Sequence, residues 1–366
     1  MQTAPFSPAA GYALPRVECH GSPRELGQAQ GEALRSRIEA FVAQRVTALQ
    51  AYLSERGASH RFAEFLSLGR ACREAARAFH PEGIEEHDAI AEAAHVDASL
   101  LYAATNMTDV RDVLVLPAAS DREGCTTVLV PPDGSRQHVL MAGQTWDLNP
   151  TDLDFVVAVH RRPDNGPQTW SITCTGALSL MGMNAEGVAV GTTNIKTRAS
   201  RIGAGYLTLL HRAIGSRSMP EAIAAIRAAP RAAAHTYWVA DAQGASELEC
   251  DPEAVIERQL ANQAVVQTNH CQSELLRARE GELPSSSSQR RLLRAQRVLA
   301  SGGHDVATLQ ALFADRSDGL DSINRYPEDA QGTTTNACMV CIPAKLELWA
   351  CRGPADRGIW QQLELS

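Results

Sequence analysis

The sequence predicts an α+β protein in which stacked β-sheets carry helices on their outer faces. Three observations point there. The first third of the 366 residues shows only three- and four-residue apolar spacing. From Cys125 onward the pattern changes to short apolar runs separated by turn clusters. Those runs come as strands in hairpins, then helices, then strands again.

Taken in order, Ser22-Pro23-Arg24-Glu25 is a capping box with proline at the first helical position. Leu34, Ile38, Phe41, Val42, Leu49 and Leu53 behind it describe one long amphipathic helix. Further helical patterns cover about Phe62–Phe79, Glu82–Ala94 and, behind Asp97, Leu100 to Ala104. Residues 1 to about 112 thus read as a helical layer without a strand, and Leu116-Pro117-Ala118-Ala119-Ser120 as a linker.

Cys125–Val130 and His138–Gly143 then flank Pro131-Pro132-Asp133-Gly134, a hairpin signal. Phe155–Arg161 and Thr169–Cys174 flank Pro163-Asp164-Asn165-Gly166, a second one, and Val188–Thr192 is a further strand. Helices are expected at Gly205–Ile214 and Ala222–Ala228, and strands at Thr236–Ala240, Ala245–Cys250, Val255–Arg258 and Ala264–Gln267. Ser285–Ser288 reads as a low-complexity loop before helices at Arg290–Leu299 and Val306–Phe313. Strands at Ala337–Ile342, Leu346–Cys351 and Ile359–Leu363 follow, and no solenoid repeat is present.

Composition narrows the function. A net charge of −8 and a pI near 5.8 argue against a phosphate-backbone binder, and Arg290, Arg291, Arg294 and Arg297 fit a solvated helix face. The N-terminal stretch lacks signal-peptide organisation and no apolar run is long enough for a membrane span. Nine cysteines without framework spacing are expected as reduced thiols, which places the protein in the cytoplasm.

The organising stretch is Glu123-Gly124-Cys125-Thr126-Thr127, where helix gives way to strand. If the bond before Cys125 breaks, one residue carries both a thiol nucleophile and a free α-amine of pKa roughly 7.7–8.0. Asp147, in Gly143-Gln144-Thr145-Trp146-Asp147, ends the strand expected to pair with that of Cys125, so its carboxylate can hold the amine. The alternative is a turn-capping Asp. Asn269, in Gln267-Thr268-Asn269-His270, stands at a strand exit as a candidate oxyanion donor, and Asn194 has the same standing; strand-end Asn residues also form turns.

Other signals are set aside. Cys338 and Cys341 are three apart on one strand and so face opposite sides. The histidines, His80 and His87 included, lack metal-ligand spacing, and no metal or other cofactor is expected. Gly182 to Gly187 reads as a turn between strands, and Asn106-Met107-Thr108 as a sequon in letters only.

Together, Gly-Cys-Thr-Thr, GQTWD, GMNAEGVAVGTTN, QTNH, the Ser-rich stretch before Arg291 and the closing Thr-Thr-Thr to Arg-Gly-Pro run resemble the acyl-coenzyme A:6-aminopenicillanate (isopenicillin N) acyltransferase family. Carcinine and β-alanyl-dopamine hydrolases are relatives, and bile-salt hydrolases and acid ceramidase are more distantly similar. Pro81, Glu85, Glu86, Ala89-Ile90-Ala91-Glu92 and Asn106 fit the family's pro-region. The resemblance implies a four-layer αββα N-terminal-nucleophile (Ntn) hydrolase sandwich, with 1–124 a helical pro-segment and 125–366 the catalytic part. It implies self-cleavage between Gly124 and Cys125, with Cys125 as nucleophile, Asp147 positioning its amine and Asn269 at the oxyanion. Asn194, Arg291 (with Arg290 one register away), Gln144 and Thr126 are carried over as substrate- or oxyanion-side residues. The bile-salt branch has arginine where Gln144 stands, which favours the acyltransferase side.

The activity so implied is cleavage of a small amide through an acyl-enzyme thioester. The competing readings are acyl-coenzyme A-dependent N-acyl transfer at the same site, and a non-catalytic scaffold. Expected partners are an amide substrate, the pro-segment as a non-covalent chain and further copies of the protein; nucleic acid and membrane are not expected.

Overall fold

The computed structural model describes residues 12–114, 124–281 and 284–365. The linker expected at 116–120, Glu123 and most of the N-terminal stretch lie outside them.

The N-terminal segment contains β1 (Arg16–Gly21), α1 (Pro23–Glu55), α2 (Phe62–Phe79), α3 (Pro81–Ala93), α4 (Ala98–Thr105) and α5 (Met107–Leu114). The remainder begins with the strands β2 (Gly124–Val130), β3 (Met141–Leu148), β4 (Val156–Pro163), β5 (Thr169–Cys174), β6 (Met181–Asn184) and β7 (Ala189–Asn194). Helices α6 (Tyr206–Ile214) and α7 (Met219–Ala228) lead to β8 (His235–Ala240), β9 (Ala245–Cys250), β10 (Val255–Gln259) and β11 (Val265–Gln267). The chain closes with α8 (Glu274–Arg277), α9 (Ser286–Leu299), α10 (Val306–Phe313), β12 (Thr334–Ile342), β13 (Glu347–Arg352) and β14 (Gln361–Gln362).

Two sheets result, in the orders β1-β4-β5-β6-β7-β8-β9-β10 and β11-β2-β3-β12-β13-β14. Strand alternation sorts their side chains. On β2, Val128 and Val130 pack under Leu299, Leu309 and Phe313 of α9 and α10, whereas Leu129 points at the other sheet. On β4, Val157 and Val159 pack under Leu34, Ile38 and Ile90 of α1 and α3, whereas Val156 and Ala158 face inward. The layers are therefore helix, sheet, sheet, helix, the αββα sandwich. Gln144 bridges the sheets: its Oε1 accepts from Thr192 N–H at 2.9 Å and Trp238 Nε1–H at 2.6 Å, and its Nε2 donates to Thr192 O at 3.0 Å.

Helix α1 starts on the expected capping box, with Ser22 Oγ accepting from Glu25 N–H and Glu25 accepting from Ser22 N–H. It crosses α3 closely: a Cβ on Gly27 would lie 2.1 Å from the Glu86 carbonyl, and one on Gly31 would lie 2.6 Å from that of Ile90. Only glycine allows that approach.

The structure corrects the element assignment in several places. The N-terminal segment is not purely helical. β1 pairs in parallel with β4, from Arg16 opposite Ala158 to Gly21 opposite Pro163, so the segment supplies an edge strand of the larger sheet. A helix absent from the reading, α5, follows Asn106. β3 starts at Met141 rather than His138 and carries Gly143 to Asp147 within it. Met181–Asn184 forms a short strand where only a turn was expected. The Ser-rich stretch is no loop: Ser285 caps α9 and Ser286 to Ser288 form its first turn.

Candidate active site

β2 and β3 pair in register with Gly124 opposite Asp147, Cys125 opposite Trp146 and Thr126 opposite Thr145. Cys125 belongs to the core between the sheets and is 6% exposed. Paired residues share a face, so Asp147, Thr126 and Thr145 stand on the opposite side of the strand from the thiol, towards α9.

Asn269, in the turn after β11, reaches the junction directly. Its Oδ1 accepts from the Cys125 backbone N–H at 2.7 Å and from Arg291 Nη2 at 2.9 Å, and its Nδ2 donates to Asn194 O at 3.0 Å. Two donors at one end and a carbonyl at the other set the amide's orientation. In the uncut chain Asn269 is thus an acceptor for the nitrogen of the Gly124–Cys125 bond. Its turn is held by Ser288, whose Oγ accepts from Asn269 N–H at 2.9 Å, bonds Thr268 Oγ1 at 3.0 Å and lies 2.7 Å from His270 Nδ1.

Arg291 is fully buried on α9. Its Nη1 donates to the Cys125 carbonyl and, at 3.1 Å, to Thr126 Oγ1. Arg290, one position away, turns outward to Asp321 at 3.4 Å with its side chain 58% exposed. Burial first, and then repulsion from Arg325, pushes the Arg291 guanidinium below the usual arginine range, against the pull of Asp147.

Arg325 is the residue that sequence reasoning missed. A Cβ built on Gly124 would lie 2.6 Å from Arg325 Cζ, so the guanidinium occupies the space that any larger residue at 124 would need. Gly124 has no positive φ; glycine here serves close approach, not a special backbone conformation. Arg325 Nη1 donates to Thr333 Oγ1 at 2.7 Å and Nη2 to Ser287 Oγ at 2.5 Å, while its Nε lies 3.8 Å from Asp147 Oδ2. Ser287 Oγ also accepts from Arg291 Nε at 3.2 Å, joining the two arginines.

Asp147 is 1% exposed, and among the described residues neither carboxylate oxygen has a hydrogen-bond partner. Burial raises its pKa to about 6, and Arg325 and Arg291 offset only part of that. The Thr335 and Thr145 hydroxyls pull the same way as the arginines without reaching hydrogen-bond geometry. A carboxyl with a pKa raised to about 6, across the strand from Gly124, is suited to proton transfer.

Six of the expected residues are therefore brought together: Gly124, Cys125, Thr126, Asp147, Asn269 and Arg291. Asn194 joins through its backbone carbonyl. Gln144 is near in sequence but its carboxamide is fully engaged in joining the sheets. A cavity of about 510 Å³ lies elsewhere, lined by Phe79, Glu86, Arg161, Thr169 and His211, with none of the residues around Cys125. Cys338 and Cys341 face opposite sides of β12, and no group of three metal-ligating side chains occurs among the described residues.

A family model described as acyl-coenzyme A:6-aminopenicillanic acid acyl-transferase matches residues 134–356, more than half of the chain. The matched stretch contains Asp147, Asn194, Asn269, Arg291 and Arg325 and starts after Cys125. Among solved structures the chain is similar to penicillin V acylase from Agrobacterium tumefaciens, at 13% identity over 65% of this chain and 86% of that one, with a TM-score of 0.41. It is also similar to two variants of conjugated bile acid hydrolase from Clostridium perfringens, each at 9% identity over 66% of this chain and 97% of the other, with TM-scores of 0.42 and 0.44. No curated protein sequence matches.

Proposed function

The chain belongs to the acyl-coenzyme A:6-aminopenicillanic acid acyl-transferase family, and from that premise we propose that it is a self-processing amidase whose nucleophile is Cys125. One observation supports this above others: side chains from separate stretches converge on the Gly124–Cys125 bond. Asn269 Oδ1 holds its nitrogen at 2.7 Å, Arg325 lies against Gly124, and Arg291 grips the Cys125 carbonyl. β11 pairs with β2 only at 127–129, so Asn269 and Arg291 also satisfy the Cys125 backbone beyond that pairing. A strand end can be capped without two buried arginines, however, which are costly to bury.

In the precursor the Cys125 sulfur attacks the Gly124 carbonyl carbon as the thiol proton leaves. The C–N bond breaks, the nitrogen takes up a proton, and residues 1–124 remain as a thioester on Cys125. Water then cleaves the thioester, giving the Gly124 carboxylate and restoring the thiol. Asp147, across the strand from Gly124 and titrating near pH 6, relays protons at this point, and its negative form afterwards holds the new α-amine. In the cut enzyme the same thiol attacks a small N-acyl amide, the amine leaves protonated, and water resolves the acyl-enzyme. An amine acceptor in place of water turns the same intermediate to acyl transfer, and a coenzyme A thioester could load it. Hydrolysis is favoured here because water needs no further binding site.

The N-terminal segment stays bound as a second chain on this reading: β1 is a strand of the larger sheet, and Leu26, Leu34 and Ile38 are buried against it. Among the described residues no helix is long and apolar enough to cross a membrane. The deciding experiment is an intact mass of freshly purified protein under denaturing conditions. Two species, 1–124 and 125–366, are expected, and Cys125→Ala should give one uncut chain without activity. Turnover surviving in that variant would remove Cys125 from the mechanism. A wild-type chain that stays whole and ignores a thiol-directed electrophile would favour a non-catalytic scaffold.

A further inference from the structure

We infer that helix α5 of the N-terminal segment remains a working part of the site after the cut, held there by Asp109 as a positioning residue; this rests on the reading just given.

Asp109 is 1% exposed, and both of its carboxylate oxygens bond across the boundary between the two segments. Oδ1 lies 2.6 Å from His235 Nε2 at the start of β8, and Oδ2 accepts from the Tyr206 N–H at 2.9 Å, where α6 begins. The Tyr206 ring stacks on His235 with centroids 4.7 Å apart. The neighbouring contacts interlock: Tyr102 Oη accepts from the Gly205 N–H at 2.8 Å, and a Cβ on Gly205 would lie 2.4 Å from Asn106 Oδ1. A buried carboxylate satisfied at both oxygens by one strand and one helix fixes their relative position.

What it fixes leads to the nucleophile. His235, at the start of β8, is the register partner of Asn194 at the exit of β7. The Asn194 carbonyl accepts from Asn269 Nδ2 at 3.0 Å, and Asn269 Oδ1 holds the Cys125 nitrogen at 2.7 Å. Asp109 touches no reacting atom. It acts through His235 and the β7 exit on the residue that orients the amine. His235 Nδ1 is buried with no hydrogen-bond partner among the described residues, so losing Asp109 leaves the ring without a polar anchor on either nitrogen there.

The test compares Asp109→Ala with Asp109→Asn in the full chain. Asparagine can offer Nδ2 to the imidazole nitrogen and accept from Tyr206 N–H, so it preserves the geometry without the charge. Self-cleavage is followed by intact mass, and Cys125 reactivity in the processed protein by its rate of alkylation with iodoacetamide. Asp109→Ala should slow both by about tenfold or more per folded molecule, the scale of a lost buried charged hydrogen bond. Asp109→Asn should stay within a few-fold of wild type. Wild-type rates in the alanine variant, or asparagine as slow as alanine, would overturn the inference. Hydrogen exchange in an uncut Cys125→Ala chain judges it independently of catalysis. Asp109→Ala should speed exchange at 192–194 and 268–270, and unchanged exchange there would overturn it. Failure of the amidase reading shows differently, as a wild-type chain that neither cuts nor labels.

Discussion

Glu86 and Asp147 are both buried carboxylates beside arginines, and they could hardly differ more. Glu86 on α3 bonds Arg161 Nε at 2.6 Å and faces His211 Nε2 at 3.3 Å. Burial alone pushes its pKa up, but Arg161 and His211 together outweigh that and leave it at about 2. Asp147 faces Arg325 at 3.8 Å, has no hydrogen bond among the described residues, and is raised to about 6. Glu86, bonded to a guanidinium and facing an imidazole, stays ionised until well below neutrality. Asp147, held just out of reach of Arg325, keeps both states accessible near pH 6. Glu86 ties the N-terminal segment to β4, and the raised pKa of Asp147 suits it to the proton relay proposed above.

The largest expected effect comes from swapping each for its amide. Asp147→Asn should lower self-cleavage and turnover by about 10²–10⁴, the range for a positioned acid–base group. Glu86→Gln should leave activity per folded molecule nearly unchanged while destabilising by about 3–5 kcal/mol, because it leaves Arg161 buried without its charge partner. Intact mass and chemical denaturation read the two outcomes. Equal loss of cleavage in both variants would collapse the distinction.

Next in size is Asn269. Its Oδ1 faces the Cys125 nitrogen, so Asn269→Asp keeps the acceptor while Asn269→Ala removes it. Loss of about 10²–10³ in the alanine variant is expected. An aspartate variant that keeps most cleavage assigns Asn269 to holding the nitrogen; one as inactive as alanine assigns it to donating to an oxyanion.

The stability counterpart follows from the direction of each shift. Asp147 is raised in the folded state, so it favours folding fully below its unfolded pKa, and that contribution is lost as pH rises through about 6. In an uncut Cys125→Ala background, Asp147→Asn should therefore add roughly 2–3 kcal/mol above pH 6 and little below pH 4. Glu86 runs the other way: its contribution is present above the unfolded pKa and fades only as pH falls towards about 2. Denaturation midpoints across pH test both signs.

The smallest effect is a coupling. Gly124→Ala places a methyl 2.6 Å from Arg325 Cζ and should slow cleavage by displacing the guanidinium. In a double-mutant cycle with Arg325→Ala, a coupling of roughly 0.5–3 kcal/mol is expected. Strict additivity would mean that the two do not act on each other.

Much of this was legible in the sequence because it is local. The capping box, the alternation of β2 and the turn chemistry place Cys125 on a strand with Asp147 on its neighbour. The connection from Pro131 to Leu140 is longer than a tight hairpin, so the start of β3 was misplaced although the pairing was not. What stayed hidden is non-local. β1 finds its partner in a parallel strand far along the chain, and parallel pairing leaves no hairpin signal. Arg325 is a lone arginine in an irregular stretch, and its place is set by Thr333, Ser287 and the missing side chain at Gly124. The four serines at 285–288 looked like filler, yet one caps α9, one links two arginines and one anchors the Asn269 turn.

The position of β1 gives the molecule a history. While the chain is continuous, β1 reaches the edge of β4 by closure of its own loop, a first-order event whatever the protein concentration. If the Gly124–Cys125 bond is cut as proposed, the same pairing after any global unfolding requires two separate polypeptides to meet, at a rate that falls with dilution. The mature protein would therefore persist through the height of its unfolding barrier rather than through reversible equilibrium with its unfolded chains. The proposed cut would then work as a ratchet: the continuous chain can refold many times, and the two-chain form is assembled once.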